Sequence, residues 1–458
     1  MDSTAVLAEN IIATSYEKIP EEAIEATKKD MLDTLGVAVA GNDAPGIKEI
    51  INLVRDWGGK RESTLIMQGI RVPCHYAALV NSTMGHALDY DDAHEEVVLH
   101  AGVVVIPPAL ALAERLGNVN GREFLAAITL GIDLVSRLGE ASNIGPSELG
   151  FMYTSVYGVF GSAAVTGKLL HLNTDQMVNA LGIAYSQAAG NFQCIIDGAL
   201  TKRMQAGFAA SNGLLSSLLA KEGITGAKDS LEGDKGLFKV YLRGDYNALP
   251  LTRDLGKHFA SVDLSFKPYP CCRNCHPFID AALELMSEHD IYVDNIEEIA
   301  VRCSENARLL IEPLQVKQNP RVPVDAQFSI PWVIATALVK GKVTFEDFTP
   351  EAIHNPEVID LASKISAEID PQLETRSTGK AVVDIKMKNN STVYSKREDI
   401  AKGNPKKPLS WDELIEKFGD CLHHGAKKIS ETAINRTISM IRNLEEIEDV
   451  GKVIRRLA

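Results

Sequence analysis

A dense group of reactive side chains lies between residues 265 and 283, in the sequence SFKPYPCCRNCHPFIDAAL. Cys272, Cys275 and His276 stand there in the order C-x-x-C-H, the pattern that attaches haem covalently. A structural zinc site would need four ligands, and no second pair of ligands follows at finger-like spacing. Haem or metal binding through Cys271, Cys272, Cys275 and His276 is therefore one hypothesis for this stretch, without a second motif to support it.

The same stretch also carries two cations. Lys267 and Arg273 precede a helix that we predict to begin at Pro277, because proline suits a first helical turn and an apolar face follows it. The free N–H groups of a helix start attract anions, and a guanidinium group binds carboxylates through paired hydrogen bonds. The chain has neither G-x-x-x-x-G-K-[ST] nor a G-x-G-x-x-G that follows a strand, which disfavours phosphate. We therefore predict a carboxylate pocket here.

A second stretch, GHALDYDDAHEEVVLHAG, covers residues 85–102. Its acids fall where a helix over residues 73–89 is predicted to end, and carboxylates at a helix C-terminus oppose the helix dipole. Two aspartates with His94 or His100 could bind a divalent metal. Alternatively, one of the aspartates could orient a histidine for acid–base chemistry, or the stretch could be a solvated acidic loop with one capping aspartate. All three interpretations stay open at this point.

A third stretch, GALTKRMQ, covers residues 198–205 and leads into a helix predicted over residues 204–220. Lys202 and Arg203 fall at the N-terminal end of that helix, where an anion would be stabilised. The alternative is a basic pair on the protein surface. Together with the two other stretches, these residues supply cations and an Asp–His pairing without a cofactor fingerprint. That combination suits proton transfer beside a carboxylate, as in elimination of water, decarboxylation or epimerisation.

Length and charge restrict the class of protein. The 458 residues suggest two or three domains, and 61 acidic against 47 basic residues give a net charge of −14. This excess of acid argues against a nucleic-acid partner. No signal peptide and no apolar span of membrane length are evident, so we expect a cytoplasmic protein without a membrane partner. Seven scattered cysteines are typical of reduced thiols rather than of a disulfide framework.

The elements that must position these residues are mostly helices. Helical spacing of apolar residues predicts helices over residues 20–40, 73–89, 107–116, 122–138, 154–170, 175–189 and 204–220. The helix over 154–170 is rich in glycine, alanine and serine, which allows close helix packing.

The second half of the chain has a different pattern. A strand is predicted over residues 298–303 and a hairpin over 380–394, among helices over 277–287 and 356–365. Helices return over 411–418 and 426–441. The predicted fold class is mainly α: a large all-α domain (residues 1–264 and 402–458) with an inserted smaller α+β lid domain (265–401). We expect a small-molecule site in the cleft between these domains.

The three stretches resemble the MmgE/PrpD family, which includes dehydratases, decarboxylases and epimerases of carboxylic acids. The resemblance rests on GHALDYDDAH, GALTKRMQAGFAASNGLL and KPYPCCRNCHPFIDAAL, and it extends over nearly the whole chain. It implies a helical domain with a lid, a homodimer, no metal or organic cofactor, and a cleft site. The family's motif residues fall on Asp89, Asp92, His100, Lys202 and Lys267.

Some positions depart from the family pattern. Met152 stands where the family commonly has a histidine, on which cis-aconitate decarboxylase depends, and Gln205 stands where a histidine is frequent. Cys272 lies near the position of a further histidine of the decarboxylase. Tyr153, Tyr269, His100 or Cys272 could replace the missing proton-transfer group.

Our main hypothesis is a hydro-lyase that needs no cofactor and acts on a di- or tricarboxylic 2-hydroxy acid such as 2-methylcitrate. The alternatives are decarboxylation of the cis-aconitate type, epimerisation of a dicarboxylate, and a non-catalytic or metal-binding protein. The predicted catalytic residues are Asp89, Asp92, His100, Lys202, Lys267 and Cys272. The predicted substrate-binding residues are Lys202, Arg203, Lys267, Tyr269, Arg273, Met152 and Tyr153.

Overall fold

A computed structural model describes residues 3–374, 379–388, 392–425 and 429–458. Contacts within the chain divide it into two compact units. The helical unit comprises Met1–Phe266 and Ser410–Ala458, and the sheet unit comprises Lys267–Leu409. The structure is mainly helical with a small mixed sheet, which confirms the predicted fold class. No helix in the described ranges is both long and apolar enough to cross a membrane.

The helical unit consists of long helices joined by short loops, with smaller helices of four or five residues between them. Its longer helices are Ser3–Ala13, Glu21–Ala40, Ile47–Trp57, Cys74–Gly85, Gly102–Leu116, Gly121–Glu140, Tyr153–Leu169, Thr174–Tyr185, Thr201–Lys221, Trp411–His424 and Glu431–Arg442. Its shorter helices are Pro146–Leu149, Gln193–Ile196, Leu237–Tyr241, Leu249–Thr252 and Gly451–Ile454.

The Tyr153–Leu169 helix lies at the centre of this unit, and nearly all its side chains are buried. It packs closely against Thr201–Lys221 because small residues line both helices. At Gly213 an added Cβ would overlap the Val159 carbonyl and lie 2.8 Å from the Ala163 nitrogen. The two backbones therefore touch at this point, as the small-residue pattern predicted.

Two predicted helix starts were wrong, and both matter for the site. The helix predicted from residue 107 begins at Gly102, with Pro107 and Pro108 inside it. It begins early because the Asp92 carboxylate accepts the N–H groups of Ala101 and Gly102 and so caps the helix. The helix predicted from residue 204 begins at Thr201.

The last helices of the chain belong to the helical unit. Trp411–His424 continues beyond its predicted end at residue 418 and packs on Glu21–Ala40. Its start is a capping box, in which Ser410 and Glu413 each bind the other's backbone N–H. The final long helix is Glu431–Arg442, and the start predicted at residue 426 lies outside the described residues.

The sheet unit is built on one four-stranded sheet. The strand order is Ile365–Ile369, Ile296–Cys303, Ala381–Met387, Val393–Glu398, with the first pair parallel and the others antiparallel. The hairpin and the strand near residue 298 were predicted, and the asparagines of the hairpin turn lie outside the described residues. The helix predicted to reach residue 365 ends at Ser363, and the next residues form a strand that the sequence analysis missed.

The longer helices of the sheet unit are His276–Glu288, Ile330–Lys340 and Pro356–Ser363, and its five-residue helices are Leu314–Gln318 and Pro323–Gln327. His276–Glu288 contacts both strands of the hairpin and also the Ile330–Lys340 helix. Its buried face includes Phe278, Ile279, Ala282 and Leu285, which is the apolar face that the sequence predicted.

The contact at Gly213 gives a stability prediction. We expect Gly213→Ala to lower the free energy of unfolding by about 1–3 kcal/mol, because its methyl group would meet helix backbone that cannot move aside. Gly419 is a matched control inside another helix, where an added Cβ meets nothing within 4 Å. Gly419→Ala should leave stability unchanged or raise it by up to about 1 kcal/mol. Urea unfolding of both variants and of the wild type measures these changes. Equal unfolding midpoints for Gly213→Ala and Gly419→Ala would contradict the prediction.

Candidate active site

The loop between the Cys74–Gly85 and Gly102–Leu116 helices carries the Asp–His residues. Its middle forms a short strand, Ala93–His94, which pairs antiparallel with Leu264–Ser265 in the same unit. Asp89 has a positive φ of 54°, which turns the chain sharply after the first helix. The loop is thus held at both ends by helices and in the middle by a strand pair, although it reads as an acidic surface loop by composition.

Most side chains of this loop are buried rather than solvated. Asp89, Asp91, Asp92 and His86 are each at most 3% exposed. The interpretation as a solvated acidic loop is therefore wrong. Carboxylates and imidazoles at this depth must be matched by hydrogen bonds or counter-charges, because an unmatched buried charge costs several kcal/mol.

His86 and His100 lie on either side of the Asp91 carboxylate. His86 Nδ1 lies 2.7 Å from Asp91 Oδ2, and His100 Nδ1 lies 3.6 Å from the same oxygen. The two ring centroids are 4.9 Å apart. Burial lowers the pKa of His86, so this ring is neutral and donates from Nδ1 to the carboxylate. His86 lies within the quoted stretch, but no local pattern distinguished it from the other residues there.

The hydrogen bonds of His100 determine its tautomer. Its Nδ1 lies 2.5 Å from the Asp92 carbonyl oxygen, which can only accept, so Nδ1 carries the proton. In the neutral ring, Nε2 then holds the lone pair and can act as a base. The backbone N–H of His100 donates to Thr154 Oγ1, at 3.1 Å, which attaches this residue to the central helix. The side chain is 12% exposed, more than its buried neighbours.

Asp92 caps a helix. Its two carboxylate oxygens accept from Ala101 N at 2.9 Å and from Gly102 N at 3.1 Å. Burial, together with the nearby Asp91 charge, raises the pKa of Asp92 to about 8. These contacts account for Asp92 as a positioning group, and its catalytic role stays a prediction.

A second layer of buried charge comes from residues that the sequence analysis missed. Asp30 and Asp33 lie on the buried face of the Glu21–Ala40 helix, and burial beside Asp92 raises the pKa of Asp30 well above its ordinary value. Lys417 pairs with Asp33 at 2.6 Å and also donates to the Tyr90 carbonyl at 2.9 Å. The available signal was aspartate at helical spacing among apolar residues, on the face that should be buried.

The structure brings together four of the predicted catalytic residues. The Lys202 ammonium contacts the Asp89 carboxylate, and both side chains are buried. One ligand atom from each of His86, Asp89 and His100 lies within 4.8 Å of the others. Asp89 therefore contacts the Lys202 cation and lies near the His100 imidazole, in the loop that Asp92 attaches to a helix. Lys202 reaches this position because it stands in the first turn of Thr201–Lys221.

His86, Asp89 and His100 are also the group of side chains in the described ranges that could hold a metal ion. A metal here would share Asp89 with the Lys202 ammonium, which already neutralises that carboxylate. The arrangement suits a proton-transfer site with a paired lysine better than a metal centre.

The other predicted residues of this unit bind the protein itself. Arg203 donates to the Pro45 carbonyl at 2.9 Å, and Tyr153 donates its hydroxyl proton to the Ile144 carbonyl. Both side chains are buried, and burial raises the pKa of Tyr153. Their predicted role in substrate binding stays a prediction.

The two departures from the family pattern flank one glycine. A Cβ on Gly190 would lie 3.0 Å from Gln205 Oε1 and 3.3 Å from Met152 Cβ. Gln205 accepts from the Asn191 N–H at 2.6 Å and donates to its carbonyl at 3.1 Å. A side-chain amide can make both bonds at once, whereas a neutral imidazole points its donor and acceptor in different directions. Gln205 thus holds the loop that follows Gly190.

The C-x-x-C-H stretch lies in the sheet unit and is a buried hydrogen-bonded turn. Arg273 Nη1 lies 3.1 Å from His276 Nδ1, and since arginine only donates, this nitrogen accepts. His276 Nε2 then carries the proton and lies 3.3 Å from the Cys271 carbonyl. Neither ring nitrogen offers a lone pair to iron or zinc, which removes the basis of the haem and metal hypothesis for His276.

The remaining predicted residues of the sheet unit are mostly enclosed. Lys267 is 0% exposed, and Arg273 donates to the Lys402 carbonyl at 2.8 Å. Tyr269 donates to Asp280 at 2.8 Å, and burial raises its pKa. Cys272 is partly exposed. The carboxylate-binding roles of these residues stay predictions.

The fold and the site describe a mainly helical enzyme with buried lysine, histidine and aspartate side chains suited to proton transfer. The MmgE/PrpD N-terminal domain family matches residues 5–249, and the MmgE/PrpD C-terminal domain family matches residues 269–446. The chain belongs to the MmgE/PrpD family, which confirms the resemblance seen in the sequence. It is a member of a family of lyases.

Curated relatives are similar over different shares of the chain. Human cis-aconitate decarboxylase is 29% identical over 444 residues, which cover 94% of this chain and 89% of the relative. Cis-aconitate decarboxylase of Aspergillus terreus is 27% identical over 467 residues, 96% and 93% of the two chains. The 2-methylcitrate dehydratase of Salmonella typhi is 22% identical over 396 residues, 80% and 79% of the two chains.

The pKa of Asp92 gives a prediction for stability against pH. Its value of about 8 lies above the ordinary 3.8, so between these pH values the folded chain holds a proton that the unfolded chain has lost. Raising the pH through this window therefore lowers the free energy of unfolding. Asp92→Asn cannot titrate, and its single carbonyl oxygen replaces two capping acceptors. We expect it to be about 1 kcal/mol less stable than the wild type at pH 5 and no less stable at pH 8.

Urea unfolding at pH 5, 6, 7 and 8 tests this expectation. The exposed Asp43 supplies the control, since Asp43→Asn should leave the pH slope as in the wild type. Parallel pH profiles for the wild type and Asp92→Asn would contradict the assigned titration.

Proposed function

We propose that this enzyme is a lyase for a di- or tricarboxylic acid that uses side-chain proton transfer and needs no cofactor. We further propose that its reaction is decarboxylation of a cis-aconitate-type acid. The observation that carries the proposal is the buried contact of Lys202 with Asp89 beside a His100 ring of assigned tautomer.

His100 is the proposed proton carrier. Its Nδ1–H is held by the Asp92 carbonyl, so protons enter and leave through Nε2. Asp91 supplies a negative charge 3.6 Å from the ring, which offsets the positive charge of the protonated form. In a decarboxylation the bond to a carboxylate carbon breaks, carbon dioxide leaves, and the electron pair takes a proton on carbon. His100 would deliver that proton from Nε2.

Lys202 is the proposed carboxylate ligand in the helical unit. Asp89 holds the Lys202 side chain in place, because both groups are buried and either charge alone would be costly. During the reaction a substrate carboxylate can accept a hydrogen bond from the same ammonium group, which then stabilises the negative charge on the substrate. Lys267 and Arg273 remain the proposed carboxylate ligands of the sheet unit.

The comparisons favour decarboxylation over the dehydration that we expected from the sequence. The decarboxylases named above are similar over 94–96% of this chain, whereas the dehydratase is similar over 80%. Met152 is the counter-argument, since methionine cannot transfer the proton that the family histidine handles. Dehydration of a 2-hydroxy acid such as 2-methylcitrate is therefore the second candidate.

A substrate panel tests the function. Purified, EDTA-treated enzyme is incubated in deuterated buffer with cis-aconitate, 2-methylcitrate and citrate, while carbon dioxide release and the 1H spectrum are followed. Carbon dioxide from cis-aconitate supports the proposal. A new enoate from a hydroxy acid without carbon dioxide supports the second candidate. Deuterium uptake alone indicates an epimerase, and binding of every acid without any turnover would overturn the lyase.

His100→Asn separates the two functions of that ring. The asparagine amide can replace the Nδ1 donor to the Asp92 carbonyl, but it has no group that corresponds to Nε2. We expect kcat to fall about 10²- to 10⁴-fold with an unchanged unfolding midpoint. His171→Asn, at a histidine 78% exposed on the surface, is the control and should retain full activity. Full activity of His100→Asn would remove His100 from the mechanism.

We also propose that the enzyme is a homodimer that uses an apolar surface of the helical unit. Leu200, Phe208 and Leu215 are 44%, 43% and 38% exposed and recur on one face of the Thr201–Lys221 helix and its start. Gly46, which precedes the Ile47–Trp57 helix, lies beside Leu200. Exposed aromatic and aliphatic side chains grouped in this way are typical of an interface between subunits.

Light scattering during size-exclusion chromatography tests the dimer. We expect twice the chain mass for the wild type and a single chain mass for a Phe208→Lys, Leu215→Lys variant. In a dimer of that variant, each subunit would bury two ammonium groups in the interface without counter-charges. Val240→Lys is the control, since this valine is 54% exposed on a different helix. A monomeric wild type would contradict the proposal.

A further inference from the structure

The cysteines of the C-x-x-C-H stretch have no role in the proposed reaction apart from the prediction for Cys272. All seven cysteines are reduced in the described structure. Six of them are buried, and Cys272 is partly exposed. An oxidant in solution would therefore meet the Cys272 thiol before any other.

Cys272 and Cys275 occupy the two ends of one tight turn. The Cys275 N–H donates to the Cys272 carbonyl at 2.8 Å, and Arg273–Cys275 is a 3₁₀ turn that leads into the His276–Glu288 helix. Cys272 is the residue that caps the start of this turn, and Cys275 is its last residue. The two Cα atoms of a turn of this kind lie within about 7 Å, inside the range that a disulfide can bridge.

The other cysteines are poorer partners for Cys272. Cys271 is its neighbour in the chain, and adjacent Cα atoms across a trans peptide are about 3.8 Å apart, shorter than the usual range for a disulfide. Cys303 lies on a strand of the sheet, where its thiol contacts the Glu368 carbonyl at 3.6 Å. The turn therefore selects Cys275 as the partner.

The surroundings favour reaction at Cys272 first. Burial and the neighbouring thiols of Cys271 and Cys272 raise the pKa of Cys275, so Cys275 stays protonated. Those thiols are within hydrogen-bonding reach of Cys275. The Lys317 ammonium, which donates to the Phe328 carbonyl at 2.8 Å, acts electrostatically on both Cys272 and Cys275. A peroxide reacts with a thiol that solvent can reach, and Cys272 is the cysteine that meets this condition.

We propose that Cys272 and Cys275 form a redox-sensitive dithiol that hydrogen peroxide oxidises to an intrachain disulfide. Cys272 Sγ attacks one peroxide oxygen, the O–O bond breaks, and a sulfenic acid and one water form. Cys275 Sγ then attacks the Cys272 sulfur, and the hydroxyl leaves as a second water. Two thiols and one peroxide thus give one disulfide and two waters, with sulfur oxidised and peroxide reduced.

The disulfide would also control the enzyme, and this part rests on the proposed function. Cys272 donates its N–H to the Gln327 carbonyl at 2.9 Å, in the segment that Lys317 also binds. Its side chain belongs to the stretch proposed to hold a substrate carboxylate. Bonding the Cys272 sulfur to the buried Cys275 draws that side chain into the protein. Turnover should therefore fall on oxidation and return with a dithiol reductant.

The disulfide can be detected without any substrate. Reduced protein is treated with one equivalent of hydrogen peroxide, its remaining thiols are blocked with an alkylating reagent under denaturing conditions, and it is digested with trypsin. Trypsin cuts after Arg273, between the two cysteines, so the disulfide would join two peptides that otherwise separate. We expect this linked pair, and a fall in blocked thiols from seven to five.

Three variants identify the bond. Cys271→Ser should still give the linked pair, whereas Cys272→Ser and Cys275→Ser should not. Cys421→Ser, at a buried cysteine of the helical unit, is the control and should behave as the wild type. No linked pair in the wild type, or a linked pair in Cys272→Ser, would overturn the proposal. Loss of turnover on oxidation in the wild type but not in Cys275→Ser would support the regulatory part separately, and equal loss in both would overturn that part alone.

Discussion

The helical unit depends on how it compensates a group of buried carboxylates. Four carboxylates lie buried among packed helices, namely those of Asp30, Asp33, Asp91 and Asp92. An unpaired charge there would destabilise the fold by more than most single contacts stabilise it. Each is matched differently: Lys417 pairs with Asp33, His86 donates to Asp91, and Asp92 caps a helix. Asp30 accepts a hydrogen bond from the Thr34 hydroxyl at 3.4 Å, and burial beside Asp92 raises its pKa. These hydrogen bonds and ion pairs fix the conformation of the loop that carries His100.

The sequence selected several residues that the structure brings together, but it did not predict their contacts. The Asp–His stretch and Lys202 were selected because charged residues clustered near helix ends, and the structure does group Asp89, Lys202 and His100. Asp30, Asp33 and Lys417 were missed because they come from helices far apart in the chain. Single charges inside an amphipathic pattern gave no local sign that they would meet.

The predicted ends of helices and strands were wrong where side-chain contacts outweighed local sequence preferences. Proline normally marks a first helical turn, which placed the start of the helix at residue 107. The Asp92 carboxylate moved that start to Gly102, since two capping bonds outweigh the loss at the internal prolines. The strand Ile365–Ile369 was missed because it follows directly on a helix, and it forms only by pairing with the distant strand Ile296–Cys303. Contacts made by remote segments cannot be read from a local pattern.

The Lys417–Asp33 pair affects when the helical unit can fold during synthesis of the chain. Lys417 lies near the end of the chain, whereas Asp33 belongs to one of its first helices. As the ribosome releases the chain from its N-terminus, the early helices emerge long before their counter-charge. Asp33 therefore lacks its paired cation until the ribosome has also made the sheet unit, which lies between the two residues in sequence. A chain that stops short of residue 417 would leave the Asp33 carboxylate buried without this ammonium, at a cost of several kcal/mol.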